Sequence, residues 1–318
     1  MLLKSGCADS WRGTGQASTC EEYFWRVLSC NLGMVTCAAK MATSGPTSLY
    51  ALGSTDAEHE RLIRQAVYLT PLTERFFQEA GIAPGQRVLD LGSGVGDVAM
   101  LAARLVGSSG EVVGVERDSR SIMRARARVG AAGLTNVSFT HCDVSEVQSP
   151  KPFDAAVGRF ILQWVSDPVA ILRCLSRLVR PGGVVAFQEV SYAPFLALSV
   201  RLPLWSTTAS LLHETMRRSG ANMEVGIELH QMFREAGLPA PNMRLEMLLG
   251  SDPNLTRWTY DLLFSLRPEI QQLNISLEPL GDFDTLLERL QAEVGMSKTV
   301  IPFVGMVGAW AQKPADEA

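Results

Sequence analysis

Three glycines and two acids stand close together in the first third of the chain, in a pattern that could bind a small molecule. Gly92, Gly94 and Gly96 occupy every second position, with Asp90 before them and Asp97 after them. Glycine permits sharp turns and lets a ligand approach the backbone more closely than a Cβ atom would allow. A carboxylate inside an apolar run is costly unless it has a partner, so Asp90 indicates a ligand that carries a cationic group.

The flanking residues predict how this turn is held. The apolar run 88–91 is typical of a buried strand, and residues 98–106 predict a helix. A strand, a glycine-rich turn and a helix together make a ligand-binding βα unit. The spacing is G-x-G-x-G, not the G-x-G-x-x-G of dinucleotide sites, and an acid at 97 would repel a pyrophosphate at the helix N-terminus. The unit therefore favours a cationic ligand without phosphates over a nicotinamide dinucleotide.

Strand-like and helix-like segments then alternate along the chain. Strands are predicted at 110–116, 136–144, 153–160 and 184–190, with helices at 119–132 and 168–179. Alternation on this scale predicts an α/β fold with a doubly wound, mostly parallel sheet.

The two ends of the alternating region have a different pattern. Before it, one helix is predicted after a cap at Ser54 or Thr55, and a second from Pro71 to about Ala80. After it, strands are predicted at 243–249 and 299–311. Helical blocks at about 194–222 and 254–295 interrupt the last third, and we interpret them as insertions that lie over the sheet and close a pocket.

Polar residues also stand where the next predicted strands end. Glu116 ends the second strand, Asp143 the third, and Arg159 the fourth. Open α/β sheets bind ligands at this carboxyl edge, where Glu116 could accept ribose hydroxyl protons and Asp143 an adenine amino proton. S-adenosylmethionine, with its ammonium, sulfonium, ribose and adenine, suits this set. Each of these acids also has an interpretation without a ligand. Asp90 could be a buried structural acid, Glu116 a solvated residue at a strand end, and Asp143 a residue that forms a turn.

At these residues the sequence resembles the class I S-adenosylmethionine-dependent methyltransferases, over about residues 50–190. The run Asp90-Leu-Gly-Ser-Gly-Val-Gly96 is similar to the first motif of that family, and Glu116 to its ribose-binding acid. Cys142-Asp143-Val144 is similar to its adenine-contacting stretch, and Leu178-Val-Arg-Pro-Gly-Gly183 to its turn before the fifth strand. The likeness is greatest to small-molecule methyltransferases of the quinone-biosynthesis and natural-product type.

The resemblance implies a Rossmann-like sheet of seven strands with helices on both faces, an antiparallel last strand and helical cap insertions. It also implies a tyrosine before the first helix that reaches the carboxylate of the cofactor. The cofactor-binding residues expected from the motifs and the resemblance are Tyr50, Asp90, Gly92, Ser93, Gly94, Gly96, Glu116, Arg117, Cys142, Asp143, Val144, Arg159 and Phe160. Many family members carry cysteine where this chain has Ser93, and other polar residues where it has Gly158-Arg-Phe160.

The predicted function is transfer of a methyl group to an oxygen or carbon atom of a small, largely apolar or aromatic metabolite. Such an enzyme mainly positions donor and acceptor, and a base is needed only if the acceptor must lose a proton. Candidates for catalytic roles are His213 in the predicted lid, and Glu189 and Tyr192 at the end of the fifth strand. The alternative is a protein of the same fold that catalyses a cyclisation or acts as a non-catalytic partner.

Composition limits the class of protein further. The 318 residues are 47% hydrophobic with a net charge of −4, and no Lys/Arg cluster indicates nucleic-acid binding. No apolar run is long enough to span a membrane. Six cysteines without a C-x-x-C spacing predict no metal site and favour a reducing, cytoplasmic location. Residues 1–48 are expected to be a disordered extension before a domain at 49–318, whose apolar N-terminal helices permit a homodimer.

Overall fold

The structure, a computed structural model, describes residues 35–37 and 50–315. Of the predicted extension at 1–48, it describes a short segment in which β1 (Thr36–Cys37) pairs with a two-residue strand at Val147–Gln148. The rest of that prediction lies outside the described residues.

The described chain alternates strands and helices as the sequence predicts. After β1, the elements are α1 (Asp56–Glu79), β2 (Arg87–Leu91), α2 (Asp97–Val106), β3 (Glu111–Glu116), α3 (Ser119–Ala131), β4 (Val137–His141), β5 (Val147–Gln148), β6 (Phe153–Arg159), α4 (Pro168–Leu178), β7 (Val179–Ser191), α5 (Ala193–Leu198), α6 (Pro203–Arg218), α7 (Val225–Glu235), β8 (Asn242–Glu246), β9 (Leu249–Gly250), α8 (Pro253–Ser265), α9 (Arg267–Gln272), α10 (Leu286–Ser297), β10 (Ile301–Pro302) and β11 (Gly305–Gln312). Short 3₁₀ turns lie at Leu162–Trp164, Ser199–Arg201 and Glu278–Leu280.

Seven of these strands form one sheet, in the order β4-β3-β2-β6-β7-β11-β8. The neighbours from β4 to β7 run parallel, while β11 is antiparallel to both β7 and β8. This confirms the predicted α/β fold with an antiparallel last strand. It also brings the carboxyl ends of β2, β3, β4 and β6 to a single edge, where the residues expected to bind a ligand are located.

Hydrophobic side chains fill the space on both faces of the sheet. Along β2, Val88 packs with α2 and α3 on one face, and Leu89 packs with the opposite core. Successive residues of a strand point to opposite faces, so a strand that is apolar throughout needs cover on both sides. Leu172 of α4 and Phe233 of α7 supply that cover on the second face. The prediction of helices on both faces is therefore confirmed.

The structure corrects several predicted boundaries. The strand predicted at 184–190 begins at Val179, and the one predicted at 243–249 divides into β8 and β9. The two helices predicted on either side of Pro71 are one helix, α1, in which Pro71 is exposed. Its missing N–H removes one helical hydrogen bond, but the buried stripe of Leu69, Leu72 and Phe76 continues past it and holds the helix together. The strand predicted at 136–144 ends at His141, and the one at 299–311 divides into β10 and β11.

The blocks at 194–222 and 254–295 are helical, and they contact each other. Both carboxylate oxygens of Glu293 in α10 accept hydrogen bonds from backbone N–H groups at the start of α6, those of Leu204 (2.8 Å) and Trp205 (2.9 Å). A carboxylate at a helix N-terminus satisfies amides that have no partner within the helix. Trp205 is fully buried beside Phe195 of α5. In the described part of the chain, no helix has the length and apolar character needed to cross a membrane.

Candidate cofactor and substrate site

The glycine turn joins β2 to α2 in a left-handed backbone conformation. Gly92 has φ +65°, and a Cβ atom built there would lie 2.6 Å from Cδ1 of Ile161. Gly94 has φ +51°, and a Cβ atom there would meet nothing within 4 Å. The first glycine is therefore required for packing within the protein, whereas the second leaves room at the backbone for another molecule.

Alanine substitutions at these two glycines should separate the two requirements. Alanine in the left-handed region costs about 1–2 kcal/mol at either position. Gly92→Ala must also displace Ile161, so it should lower the free energy of unfolding by a further 1–3 kcal/mol or so. Urea denaturation measures both variants, with Gly94→Ala as the matched control. If the two variants lose the same free energy of unfolding, the side chain of Ile161 can move away from the new Cβ atom without an energetic cost.

Asp90 is buried directly below this turn. The side chain is 1% exposed, and neither carboxylate oxygen has a close hydrogen-bond partner among the described residues. Burial raises the pKa of Asp90 to about 8, although the Arg159 guanidinium opposes part of this rise. The buried hydroxyl of Ser93 is also without a partner in the described chain. A cationic ligand would lower the pKa of the Asp90 carboxyl and would give that carboxyl a partner. The site therefore fits a cationic ligand.

The acid at the end of β3 is already in contact with the turn. One oxygen of Glu116 accepts the N–H of Gly94 (2.9 Å), and the other accepts those of Arg117 (2.8 Å) and Asp118 (2.9 Å). A carboxylate has about four acceptor positions, so these bonds leave room for about one more donor. Glu116 thus fixes the turn in position, and its role toward a ribose stays a prediction.

The stretch after β4 forms a tight turn beside this acid. An oxygen of Asp143 accepts the backbone N–H (2.9 Å) and the hydroxyl (2.6 Å) of Ser145, a local arrangement that stabilises turns. Cys142 is buried and Val144 partly buried, whereas Arg117 is exposed. Asp143 therefore forms a turn in the structure, as one of its two interpretations predicted. A contact between Asp143 and adenine stays a prediction.

The end of β6 forms the opposite rim through a chain of buried polar contacts. Arg159 donates to the hydroxyl of Thr73 (2.9 Å), which donates to the side-chain carbonyl of Gln188 (2.7 Å). The next residue, Phe160, has φ +57°, and its N–H donates to the backbone carbonyl of Gln188 (3.0 Å). A non-glycine residue in this region is uncommon and marks a site where the backbone is constrained.

Glu189, a candidate catalytic residue, holds this rim in place. It is fully buried, and one oxygen accepts the backbone N–H groups of Ile161 (3.0 Å) and Leu162 (2.9 Å). The other oxygen has no partner among the described residues. Burial raises the pKa of Glu189 to about 8, and the backbone amides of Leu162, Ile161 and Gln163 limit the rise. Its geometry is that of an anchor for the loop, and a role in proton transfer stays a prediction.

The other two candidate catalytic residues are brought together. The rings of Tyr192, which follows β7, and His213 in α6 have centroids 6.0 Å apart. Tyr192 is buried, and its hydroxyl makes no hydrogen bond in the described part of the chain. Burial raises the pKa of Tyr192 above its usual range, so the phenol keeps its proton near neutral pH. Their catalytic roles stay predictions.

A buried polar cluster on α1 was not predicted from the sequence. Arg61 donates to both oxygens of Glu58 (2.6 and 2.7 Å) and to the side-chain carbonyl of Gln65 (2.8 Å). The same carbonyl accepts from the indole of Trp258 in α8 (2.8 Å), and Glu58 accepts from the hydroxyl of Tyr50 (3.0 Å). A Glu and an Arg three residues apart on a helix usually indicate a solvated pair, so the sequence carried no signal for this cluster.

Comparisons with known proteins agree with this geometry. The sequence profile of a family described as a methyltransferase domain matches residues 82–237. A ubiquinone/menaquinone biosynthesis C-methyltransferase from Cellvibrio japonicus is 37% identical over 123 residues, which cover 38% of this chain and 49% of that protein. A 2-phytyl-1,4-naphtoquinone methyltransferase from Synechococcus elongatus is 38% identical over 118 residues, 36% of this chain and 50% of that protein. The chain thus spans about half the length of these curated relatives.

Among solved structures, that of the YcgJ protein from Bacillus subtilis is similar in fold. It has a TM-score of 0.52 and 17% sequence identity, and the alignment covers 79% of this chain and 99% of that chain. The matched residues 82–237 contain the glycine turn, Asp90 and the strand-end acids Glu116 and Asp143. The profile match and the named relatives thus identify residues 82–237 as similar to a methyltransferase domain, the kind of protein that the motifs of this region resemble.

Proposed function

We propose that this protein is an S-adenosylmethionine-dependent methyltransferase that acts on a small, largely apolar aromatic metabolite. The observation that carries the proposal is the buried carboxyl of Asp90, without a hydrogen-bond partner in the described chain, below a turn whose Gly94 leaves open space. A buried acid in this state is costly to the apo protein, and a cationic ligand would offset that cost. One relative is named as a C-methyltransferase of ubiquinone/menaquinone biosynthesis and the other as a naphtoquinone methyltransferase, which favours a carbon atom as the methyl acceptor.

The residues of the turn and its rim have separate tasks in this proposal. When bound, S-adenosylmethionine supplies an electrophilic methyl group on a sulfonium. Asp90, Glu116 and Asp143 would hold the cofactor through its polar groups, and Tyr50 would complete the site beside the start of α1. The loop anchored by Glu189 and the helical blocks would exclude water and position the acceptor. The curated relatives are named as methyltransferases, and this favours methyl transfer over a cyclisation or a non-catalytic role.

Titration calorimetry with S-adenosylmethionine tests the proposal directly. The intact chain should bind it, and Asp90→Ala or Glu116→Ala should weaken binding by at least about tenfold, as expected when a hydrogen bond to a charged group is lost. Glu111→Ala is the matched control, because Glu111 lies at the other end of the same strand in an exposed ion pair with Arg87. Absence of binding by the intact chain, or equal affinity in all three variants, would refute the cofactor assignment.

Three further statements about the whole protein are part of the proposal. It has a small-molecule substrate and no nucleic-acid partner, forms a homodimer, and works in the cytoplasm. The dimer is proposed from the apolar residues of the N-terminal helical segment, which is α1 in the structure, and the cytoplasmic location from the cysteine composition. Sedimentation velocity at micromolar concentration measures the oligomeric state, and a monomer at all concentrations would exclude the dimer.

A further inference from the structure

One edge of the seven-stranded sheet is formed by β8. Among the described residues, β11 is the strand that pairs with β8, and no second strand lies on its other side. An edge strand presents a row of backbone N–H and C=O groups that a further strand can bind. Within the part of the chain that the structure describes, β8 therefore offers these groups to another molecule.

The charged side chains of β8 lie on the face that α1 covers. Arg244 pairs with Glu79 of α1 at 2.6 Å, and Glu246 pairs with Arg75 of the same helix at 2.9 Å. The side chains of Arg244 and Glu246 nevertheless stay 41% and 20% exposed. Since the ion pairs already restrict these two side chains, a second partner of opposite charge would lose little conformational entropy in binding them.

The apolar side chains of β8 lie on the opposite face. Successive residues of a strand point to opposite faces, so Met243 and Leu245 share the face away from α1. Cδ1 of Leu245 is 3.2 Å from the position that a Cβ atom on Gly305 of β11 would occupy, so this side chain lies over the neighbouring strand. Met243 and Leu245 are 37% and 52% exposed, which favours association along this edge.

The order of residues along β8 makes the strand complementary to a second copy of itself. Two copies can pair antiparallel about a two-fold axis, and side chains directly opposite each other then share a face. With the axis at Leu245, Arg244 of each copy lies opposite Glu246 of the other. With the axis at Arg244, two guanidinium groups oppose each other, and with the axis at Met243, Arg244 opposes Asn242. Because opposite charges stabilise a strand pair and like charges destabilise it, the axis at Leu245 is favoured.

We propose that a second copy of this chain binds at β8, so that the two sheets become one continuous sheet with a two-fold axis at Leu245. This interface rests on the homodimer of the proposed function, whereas it is independent of the cofactor assignment. Reciprocal pairs between Arg244 and Glu246 set the register, and the two copies of Leu245 meet on the apolar face. With their partners on α1, the paired side chains form rows of charges that alternate in sign across the dimer.

Charge reversals in separate chains test both the surface and the register. In its own dimer, Arg244→Glu places acids opposite each other, and Glu246→Arg places arginines opposite each other. Sedimentation velocity over a micromolar concentration series should show that each variant alone dimerises at least about tenfold more weakly than the unmodified chain. An equimolar mixture of the two variants should recover most of the lost affinity, because every pair across the mixed interface is again a Glu with an Arg.

The mixture also corrects for effects within each chain. Arg244→Glu loses its pair with Glu79, and Glu246→Arg loses its pair with Arg75, but these losses are the same in the single-variant and the mixed dimer. Recovery in the mixture therefore reports on contacts between copies.

Matched controls reverse the charges of another exposed pair. Glu214 and Arg217 of α6 are 44% and 58% exposed, so Glu214→Arg and Arg217→Glu should each dimerise like the unmodified chain. Leu245→Lys, at an exposed position, is a further variant in case a charge reversal prevents folding. It places two lysines opposite each other and should weaken the dimer by at least about tenfold. Every variant should bind S-adenosylhomocysteine within about twofold of the unmodified chain, because none changes the cofactor turn.

The possible results separate this interface from the rest of the proposed function. A dimer that keeps its affinity in both charge reversals or in Leu245→Lys would overturn the interface at β8 and leave a homodimer through another surface. Weaker dimers without recovery in the mixture would overturn the register. A monomeric unmodified chain that binds S-adenosylhomocysteine would overturn the interface and the homodimer but not the methyltransferase assignment. A dimer that does not bind S-adenosylhomocysteine would overturn the cofactor assignment alone.

Discussion

Removal of either partner of the Glu58–Arg61 pair should lower the free energy of unfolding by about 3–5 kcal/mol, the usual cost of leaving a buried charge unpaired. Among the described residues, the guanidinium keeps only its bond to Gln65 in Glu58→Ala, and the carboxylate keeps only the hydroxyl of Tyr50 in Arg61→Ala. Neither charge can reach water, because both side chains are almost fully buried. Urea denaturation at pH 7 measures the loss.

The chain contains a matched control for this prediction. Glu214 and Arg217 in α6 form a pair with the same order and spacing, but their side chains are 44% and 58% exposed. Glu214→Ala should therefore change the free energy of unfolding by less than about 1 kcal/mol. The double variant Glu58→Leu/Arg61→Met removes both buried charges and should recover most of the loss. Equal effects at the two pairs would contradict a role for burial.

These two pairs also show why part of the site could not be predicted from the sequence. Glu58–Arg61 and Glu214–Arg217 both have the sequence Glu-x-x-Arg on an amphipathic helix. This local spacing predicts a weak, solvated ion pair in each case. The difference arises because α8 packs against one of them, and Trp258 of α8, which donates to Gln65 beside the pair, is 193 positions away in the chain. A pattern read along a single helix contains no information about such contacts.

The turn at Asp90 was predictable because its features are local. The alternation of apolar and polar segments predicted the strand, the turn and the helix, and the structure has them at Arg87–Leu91 and Asp97–Val106. Asp97, however, is not a free charge that would repel a pyrophosphate, because it is paired with Arg128 of α3 at 2.6 Å. Asp90 and the glycine spacing are therefore the features of this turn that disfavour a phosphate ligand.

Glu189 shows a second limit of sequence reasoning. Its position at the end of the fifth predicted strand indicated the substrate side of the sheet, and the strand is present. Its carboxyl instead accepts two amides of the loop that follows β6. Long-range hydrogen bonds of this kind depend on how loops cross the sheet edge, and the order of residues along one strand does not determine them.

The stability of the apo protein should fall as the pH rises from about 5.5 to 8. Asp90 and Glu189 have pKa values near 8 in the folded protein, above their ordinary values of 3.8 and 4.5. Between the unfolded and folded pKa values, each of these carboxyls binds a proton in the folded protein but not in the unfolded chain. The stabilisation from these protons is therefore complete below about pH 4 and is lost as the pH approaches 8. Each group contributes a slope of about −1.4 kcal/mol per pH unit in the middle of this range.

Neutral variants isolate the contribution of these two carboxyls to the pH dependence. Asp90→Asn and Glu189→Gln should each reduce the slope of unfolding free energy against pH by about 1.4 kcal/mol per pH unit, and the double variant should reduce it by about twice as much. Because Glu189→Gln can still accept the amides of Ile161 and Leu162, it should be more stable than the unmodified chain above pH 8. Glu111→Gln, at an exposed ion pair, should keep the original slope. Urea denaturation at intervals of half a pH unit measures these slopes, and a double variant with the slope of the unmodified chain would show that the two carboxyls are already ionised in the folded protein.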